Sequence, residues 1–286
     1  MSALEVRDLH PAFGAEVRGL TPTIPLDAAT CAQLRELFDE RGLLVFPGLD
    51  LGHREQLWIS KMLIRQENEP DRPGSSQADD NFYVSNRDMS SAAPFGRLQF
   101  HADTMWADDP FEVLSLFGKE VEQPTVPTVF VSGVHAWETL PDDLKARVDG
   151  LSALHTAGEV RRGDLVDVLV SSVASPPTTI KPLALQHPRT GKTVLYACEQ
   201  MTKEIVGLPH AESEALLEEL FDHLYAPEGR WEHQWQQGDF VVWDNIAMQH
   251  ARPNVVVEGP ARTLRKAASP VPQLTRSETP IFSAGR

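Results

Sequence analysis

Cysteine is scarce in this sequence: Cys31 and Cys198 are the only two among 286 residues. That excludes a disulfide framework and a thiolate zinc cluster, and it suits reduced thiols in a cytoplasmic protein. No apolar run approaches the roughly 20 residues that span a bilayer. The opening MSALEVRDLHPAFGAEV also lacks the basic cluster and apolar stretch of a secretory leader. A cytoplasmic location with no membrane partner is therefore expected. Positive charge is short as well, with 26 Lys and Arg against 41 Asp and Glu and a formal net charge of -15. Such a surface repels phosphate backbones, so no nucleic-acid partner is expected. Internal repeats, low-complexity tracts and linker-like boundaries are missing too, and residues 1–286 read as one domain.

What is present is a globular composition, 41% hydrophobic, with enough apolar residues to bury a core. Asp27 precedes AATCAQLRELFDERG, in which Cys31, Leu34, Leu37 and Phe38 recur at helical spacing and Gly42 supplies a stop. A buried strand, LLVFPG, follows. From Phe82 onward short β-rich runs alternate with Gly, Pro and Asp turn signals: NFYVSN, FEVLSLFG, PTVFVSG, KTVLYAC, DFVVWDN and ARTLRKAASPV. That density predicts a sandwich or barrel. Two helices interrupt it, one starting near Pro141 and one in HAESEALLEELFDHLY with Leu216, Leu217, Leu220, Phe221 and Leu224 on one stripe. Residues 69–81, without apolar periodicity, read as a lid loop, and residues 156–182 as an inserted excursion.

The chemistry concentrates in LQFHADTMW. His101 and Asp103 stand two apart in an extended context, so strand alternation puts both on one face. His250, in GDFVVWDNIAMQHARPN, is the best third ligand. Two imidazoles and one carboxylate form the facial triad of non-haem Fe(II) oxygenases, leaving coordination positions for O2 and substrate atoms. The same donors also suit zinc and other divalent ions, so a non-catalytic metal-binding sensor or scaffold stays open at this point.

Nearly the whole chain resembles the taurine/2-oxoglutarate dioxygenases, a branch of the Fe(II)- and 2-oxoglutarate-dependent oxygenases. The likeness runs through FGAEVRGL, FHADTMW, VPTVFVSGVHAWETLPDDLK, HPRTGKTVLYACEQMTKEIVGL, GDFVVWDNIAMQH, ARTLRKA and TPIFSAG. It implies a mainly β fold with flanking α-helices around a double-stranded β-helix, or jelly roll. It implies Fe(II) held by His101, Asp103 and His250, with 2-oxoglutarate and O2 as cosubstrates and oxidation of a small molecule. The family's cosubstrate arginine falls on Arg262 and its hydroxyl partner on Thr128, although Val126-Pro127 replaces the usual Gly-Asp. Alternation along ARTLRKA then turns Lys266 inward with Arg262, and Arg265 away. Lys266 stands where the taurine branch holds the substrate sulfonate with arginine, which leaves an anionic substrate open. Arg97, Asn86, Tyr83, Trp106 and Met201 are further candidates for substrate contact, each as readily explained by packing. A retained Asp103 implies hydroxylation or a related oxidation, because related halogenases carry a small residue there. WDN, Trp243 to Asn245, reads as a turn that orients His250. Oligomeric state stays open, a homo-oligomer included.

Overall fold

The computed structural model describes residues 4–70, 82–157, 169–172, 176–270 and 281–284. The chain order begins β1 (Glu5–Asp8), β2 (Ala15–Arg18), α1 (Ala28–Arg41), β3 (Leu43–Phe46), α2 (His53–Leu63), β4 (Tyr83–Ser85) and β5 (Gly96–His101). It continues through β6 (Val113–Val121), β7 (Thr128–Ser132), α3 (Gly133–Thr139), α4 (Asp142–Val148), β8 (Ser152–Thr156), β9 (Leu169–Ser172) and β10 (Thr178–Pro182). Next come β11 (Ala184–Gln186), β12 (Thr193–Leu195), β13 (Thr202–Ile205), α5 (His210–Leu224) and β14 (Trp231–His233). The last are β15 (Phe240–Asp244), β16 (Met248–Val255), β17 (Arg262–Ser269) and β18 (Ile281–Ala284).

Two sheets carry the architecture, one in the order β1-β2-β3-β15-β6-β17-β4 and the other β14-β7-β16-β5. Their inner faces meet over Val45, Leu116, Phe130, Trp243, Met248 and Leu264. In β15 the side chains alternate: Val241 and Trp243 enter that core, while Phe240 and Val242 pack outward with Leu34 and Phe38 of α1 and Ile59 of α2. β7 repeats the arrangement, with Phe130 inward and Val129 and Val131 against Leu217 and Leu220 of α5. Burial on both faces is why these strands read as unbroken apolar runs. Each such side chain contributes roughly 1.5–3 kcal/mol through area removed from water. Helices cover a mostly antiparallel, two-layered roll, the double-stranded β-helix expected.

Helix α1 starts and stops where the sequence signals place it. The Asp27 carboxylate accepts from the backbone N–H of Ala29 and Thr30, and Gly42 closes the helix at φ 69° with its N–H on the Phe38 carbonyl. α5 buries all five residues of its expected stripe. α2 and α3 were not expected. In α2 the inward face carries Gln56 and Ser60 beside Ile59 and Leu63, and those polar positions hide the apolar period. Residues 71–81 of the expected lid, and 158–168 and 173–175 of the expected insert, lie outside the described residues. The described ends of the insert meet, since β10 pairs antiparallel with β8 and sets Thr178 opposite Thr156.

Candidate metal centre

β16 pairs with β7 on one side and β5 on the other, in a register that puts His250 opposite His101. Their ring centroids are 4.2 Å apart. β5 ends at His101, so Asp103 stands in the turn beyond it and strand alternation does not bring it round. Turn geometry does so instead. Thr104 takes a φ of 58°, and its Oγ1 donates to the Asp103 carbonyl at 2.6 Å. Asp103 Oδ1 thereby lies 3.1 Å from His101 Nε2 and 3.9 Å from His250 Nε2. One ligand atom from each residue falls within 4.8 Å of the others, and among the described residues this is the one such His, Cys, Asp and Glu group.

Protonation states follow from the surroundings. His101 Nδ1 is 2.8 Å from the Gln99 carbonyl, which can only accept, so Nδ1 carries a proton and Nε2 is the ring atom turned toward Asp103. Burial, reinforced by the His101 ring, pushes the His250 pKa well below the ordinary imidazole value, against the pull of Asp103. Trp243 packs on its ring at 4.9 Å between centroids. Burial alone would raise the Asp103 pKa, but Lys266 and the two imidazoles hold it well below the usual carboxylate range. A neutral imidazole at His250 and an ionised carboxylate at Asp103 are states that suit ligation of a divalent cation.

A second polar group lies deeper. Arg262 is 3% exposed; its Nη2 donates to Thr128 Oγ1 at 3.0 Å and its Nε to the Val126 carbonyl at 3.0 Å. Trp235 Nε1 donates to the same hydroxyl at 3.0 Å. Burial and the nearby Arg252 push the Arg262 pKa down, and no carboxylate among the described residues pairs with it. A buried unpaired cation is costly, and a ligand carboxylate would relieve it. Arg265, three residues on, turns to the opposite face, where Nε donates to Gln56 Oε1 at 2.8 Å and the guanidinium covers Phe117.

The remaining candidates divide. Lys266 Nζ pairs directly with Asp103 Oδ2. Trp106 and Met201 are buried in a cluster with Met105, Tyr196, Cys198 and Ile246 that flanks the Asp103 turn. Burial raises the Cys198 thiol to about 11, so it is inert at neutral pH. Asn86 commits its amide to backbone, accepting from Arg262 N–H at 2.9 Å and donating to the Val256 and Pro260 carbonyls. Tyr83 is half-buried on β4, opposite Arg265, and Arg97 is exposed near the start of β5. The WDN turn reaches further than its sequence reading. Trp243 does meet His250, but Asn245 bonds to Asp103, and Asp244 binds His187, Arg189 and the N–H groups of Ile246 and Ala247.

Three protein donors leave half the positions of an octahedral ion to other ligands, the condition met by non-haem Fe(II) oxygenases that take 2-oxoglutarate and O2. The sequence matches the Taurine catabolism dioxygenase TauD, TfdA family over residues 5–268, and the chain belongs to that family. It is 30% identical over 260 residues to the (S)-phenoxypropionate/alpha-ketoglutarate-dioxygenase of Sphingobium herbicidovorans, covering 87% of this chain and 88% of the relative. An alpha-ketoglutarate-dependent 2,4-dichlorophenoxyacetate dioxygenase of Cupriavidus pinatubonensis is 28% identical over 278 residues, 91% of this chain and 96% of its own. An alkylsulfatase of Acinetobacter baylyi is 26% identical over 260 residues, 88% and 80% respectively. The crystal structure of a taurine dioxygenase from Burkholderia xenovorans superposes with a TM-score of 0.74 at 26% identity, covering 99% of this chain and 97% of that one. The protein is an Fe(II)- and 2-oxoglutarate-dependent dioxygenase that oxidises a small molecule, uses O2, and releases succinate and CO2. Among the described residues no helix is long and apolar enough to cross a membrane.

Proposed function

We propose that His101, Asp103 and His250 hold the Fe(II), that Arg262 with Thr128 takes the distal carboxylate of 2-oxoglutarate, and that the enzyme hydroxylates a small organic anion steered by Lys266. The convergence of one ligand atom each from His101, Asp103 and His250 within 4.8 Å carries this reading. When bound, the metal supplies the coupling of O2 reduction to decarboxylation and substrate oxidation. The chain's own residues position and desolvate. Arg262 offers a planar fork suited to two parallel hydrogen bonds with a carboxylate, already braced by Thr128 and Val126. Trp106, Met105 and Ile246 form an apolar wall beside the Asp103 turn that keeps water from the reacting atoms.

The anionic substrate is supported from two directions. Lys266 adds a cation at the centre, and the relatives named for phenoxypropionate, 2,4-dichlorophenoxyacetate and alkyl sulfates all take acids. A compound with an apolar body and one carboxylate or sulfate matches both the lysine and the wall. The two buried free cysteines accord with a cytoplasmic setting. Succinate formation under air, measured with a panel of aryloxyalkanoates, alkyl sulfates and matched neutral amides, tests the reading. Acids should stimulate turnover, and Lys266→Ala should raise the substrate KM with little change in the 2-oxoglutarate KM. Equal stimulation by the neutral amides would contradict it.

A further inference from the structure

Asp103 poses a geometric problem that His101 and His250 do not. Both histidines lie in paired strands, where ladder hydrogen bonds fix the backbone that carries them. Asp103 stands beyond the end of β5, next to a residue of positive φ, and among the described residues its carboxylate meets side chains alone: Lys266 and the two imidazoles. Something else must hold its main chain.

The geometry points to Asn245 as a positioning residue for the metal: its side-chain amide acts as the missing neighbouring peptide, fixes the Asp103 backbone, and so sets the carboxylate in place for the ion. Asn245 Oδ1 accepts from Asp103 N–H at 3.0 Å, while Asn245 Nδ2 donates to the Asp103 carbonyl at 2.8 Å. That reciprocal pair is the pattern one strand offers another. The clamp is itself anchored, since Nδ2 also donates to the Phe111 carbonyl at 3.0 Å and Asn245 N–H to the Glu112 carbonyl at 2.9 Å. At 1% exposure the amide has no competing water. Position along the chain adds a second consequence. Asn245 lies five residues before His250, in the turn that opens β16, so one side chain ties the segment of His101 and Asp103 to that of the third ligand. Partners that orient metal ligands in this way typically change metal affinity by about 10–100-fold when removed.

This inference rests on the reading of His101, Asp103 and His250 as the ligands, and the experiment separates the two. Mn(II) affinity is measured by the EPR signal of free Mn(II) on the full chain, with circular dichroism and melting temperature of the metal-free protein alongside. Asn245→Ala removes the clamp. Asn245→Asp keeps its size and the acceptor for Asp103 N–H, but turns an oxygen toward the Asp103 and Phe111 carbonyls, and decides the matter if the alanine variant does not fold. Asp103→Ala is the control. The expected result is Mn(II) affinity lowered about 10–100-fold in folded Asn245 variants and abolished by Asp103→Ala. A purely structural Asn245 would lower the melting temperature and leave the affinity of the folded protein within about twofold of the parent, which overturns the clamp. Parent-like binding by Asp103→Ala would overturn the ligand reading, and the clamp with it.

Discussion

Asp103 and Asp244 are both shielded carboxylates with an imidazole about 3 Å away and a cation in direct contact, yet they sit in opposite kinds of site. Asp244 faces His187 at 3.0 Å and Arg189, and it also accepts from Ile246 and Ala247 N–H at 3.0 Å each. Its lone pairs are filled by fixed donors, and it is a joint of the fold. Asp103 has backbone bonds at its own N–H and carbonyl but none from backbone to its carboxylate. The difference teaches how one residue type is held in two ways: Asp103 is fixed from behind and leaves its oxygens to two imidazoles and one lysine, the arrangement the proposed metal site needs, whereas Asp244 is filled from the front by fixed donors.

The sharpest way to break the comparison is to truncate both. Asp244→Ala strips partners from Arg189, His187 and two N–H groups at once, and should cost roughly 3–5 kcal/mol in urea unfolding, as expected when a buried ion pair loses one member. Asp103→Ala should leave a folded protein without measurable Fe(II) affinity or turnover. Similar stability losses in the two variants would erase the distinction. A smaller effect separates Arg262 from Arg265 on the same strand. Arg262→Met should raise the 2-oxoglutarate KM by about 10–100-fold, in keeping with roughly 1.5–3 kcal/mol for a hydrogen bond to a charged group. Arg265→Met should instead lower the melting temperature, because Gln56 and the Leu51 carbonyl lose their donor, and leave that KM near the parent's.

The effect that is smallest near neutral pH concerns an imidazole with no carboxylate partner among the described residues. His155 is fully buried, its ring bonded among the described residues to Thr202 Oγ1 alone at 3.1 Å, and burial pushes its pKa down to about 3 from an ordinary 6.5. The unfolded chain therefore binds a proton that the folded chain refuses. Stability contributed by the neutral ring is intact above pH 6.5 and falls as pH drops toward 3, at roughly 1.4 kcal/mol per pH unit. Urea unfolding of His155→Gln should show a shallower acid limb by about that slope. An unchanged limb would place the acid sensitivity elsewhere.

Much of this was legible in the residues. Asp27 and Gly42 bracket α1 because capping is local, and DFVVWDN and PTVFVSG announce strands because both of their faces are buried. His101, Asp103 and Arg262 stood out by type and spacing together with the family likeness. What stayed hidden is non-local or masked by polar side chains. The inward face of α2 is interrupted by Gln56, which donates to the Arg265 carbonyl 209 positions away. Asn245 and Asp103 are 142 positions apart, and Lys266 and Asp103 are 163 apart, so neither contact has a spacing to read. Asn86 looked like a pocket residue because nothing local shows that backbone at 256, 260 and 262 uses up its amide.

The central assignment is tested most directly by anaerobic titration of the metal-free protein with Fe(II) and then 2-oxoglutarate, following the visible charge-transfer absorption. The parent chain is predicted to bind one Fe(II) and to develop the band on adding cosubstrate, while His250→Ala develops none. A band of parental intensity in His250→Ala would contradict the account.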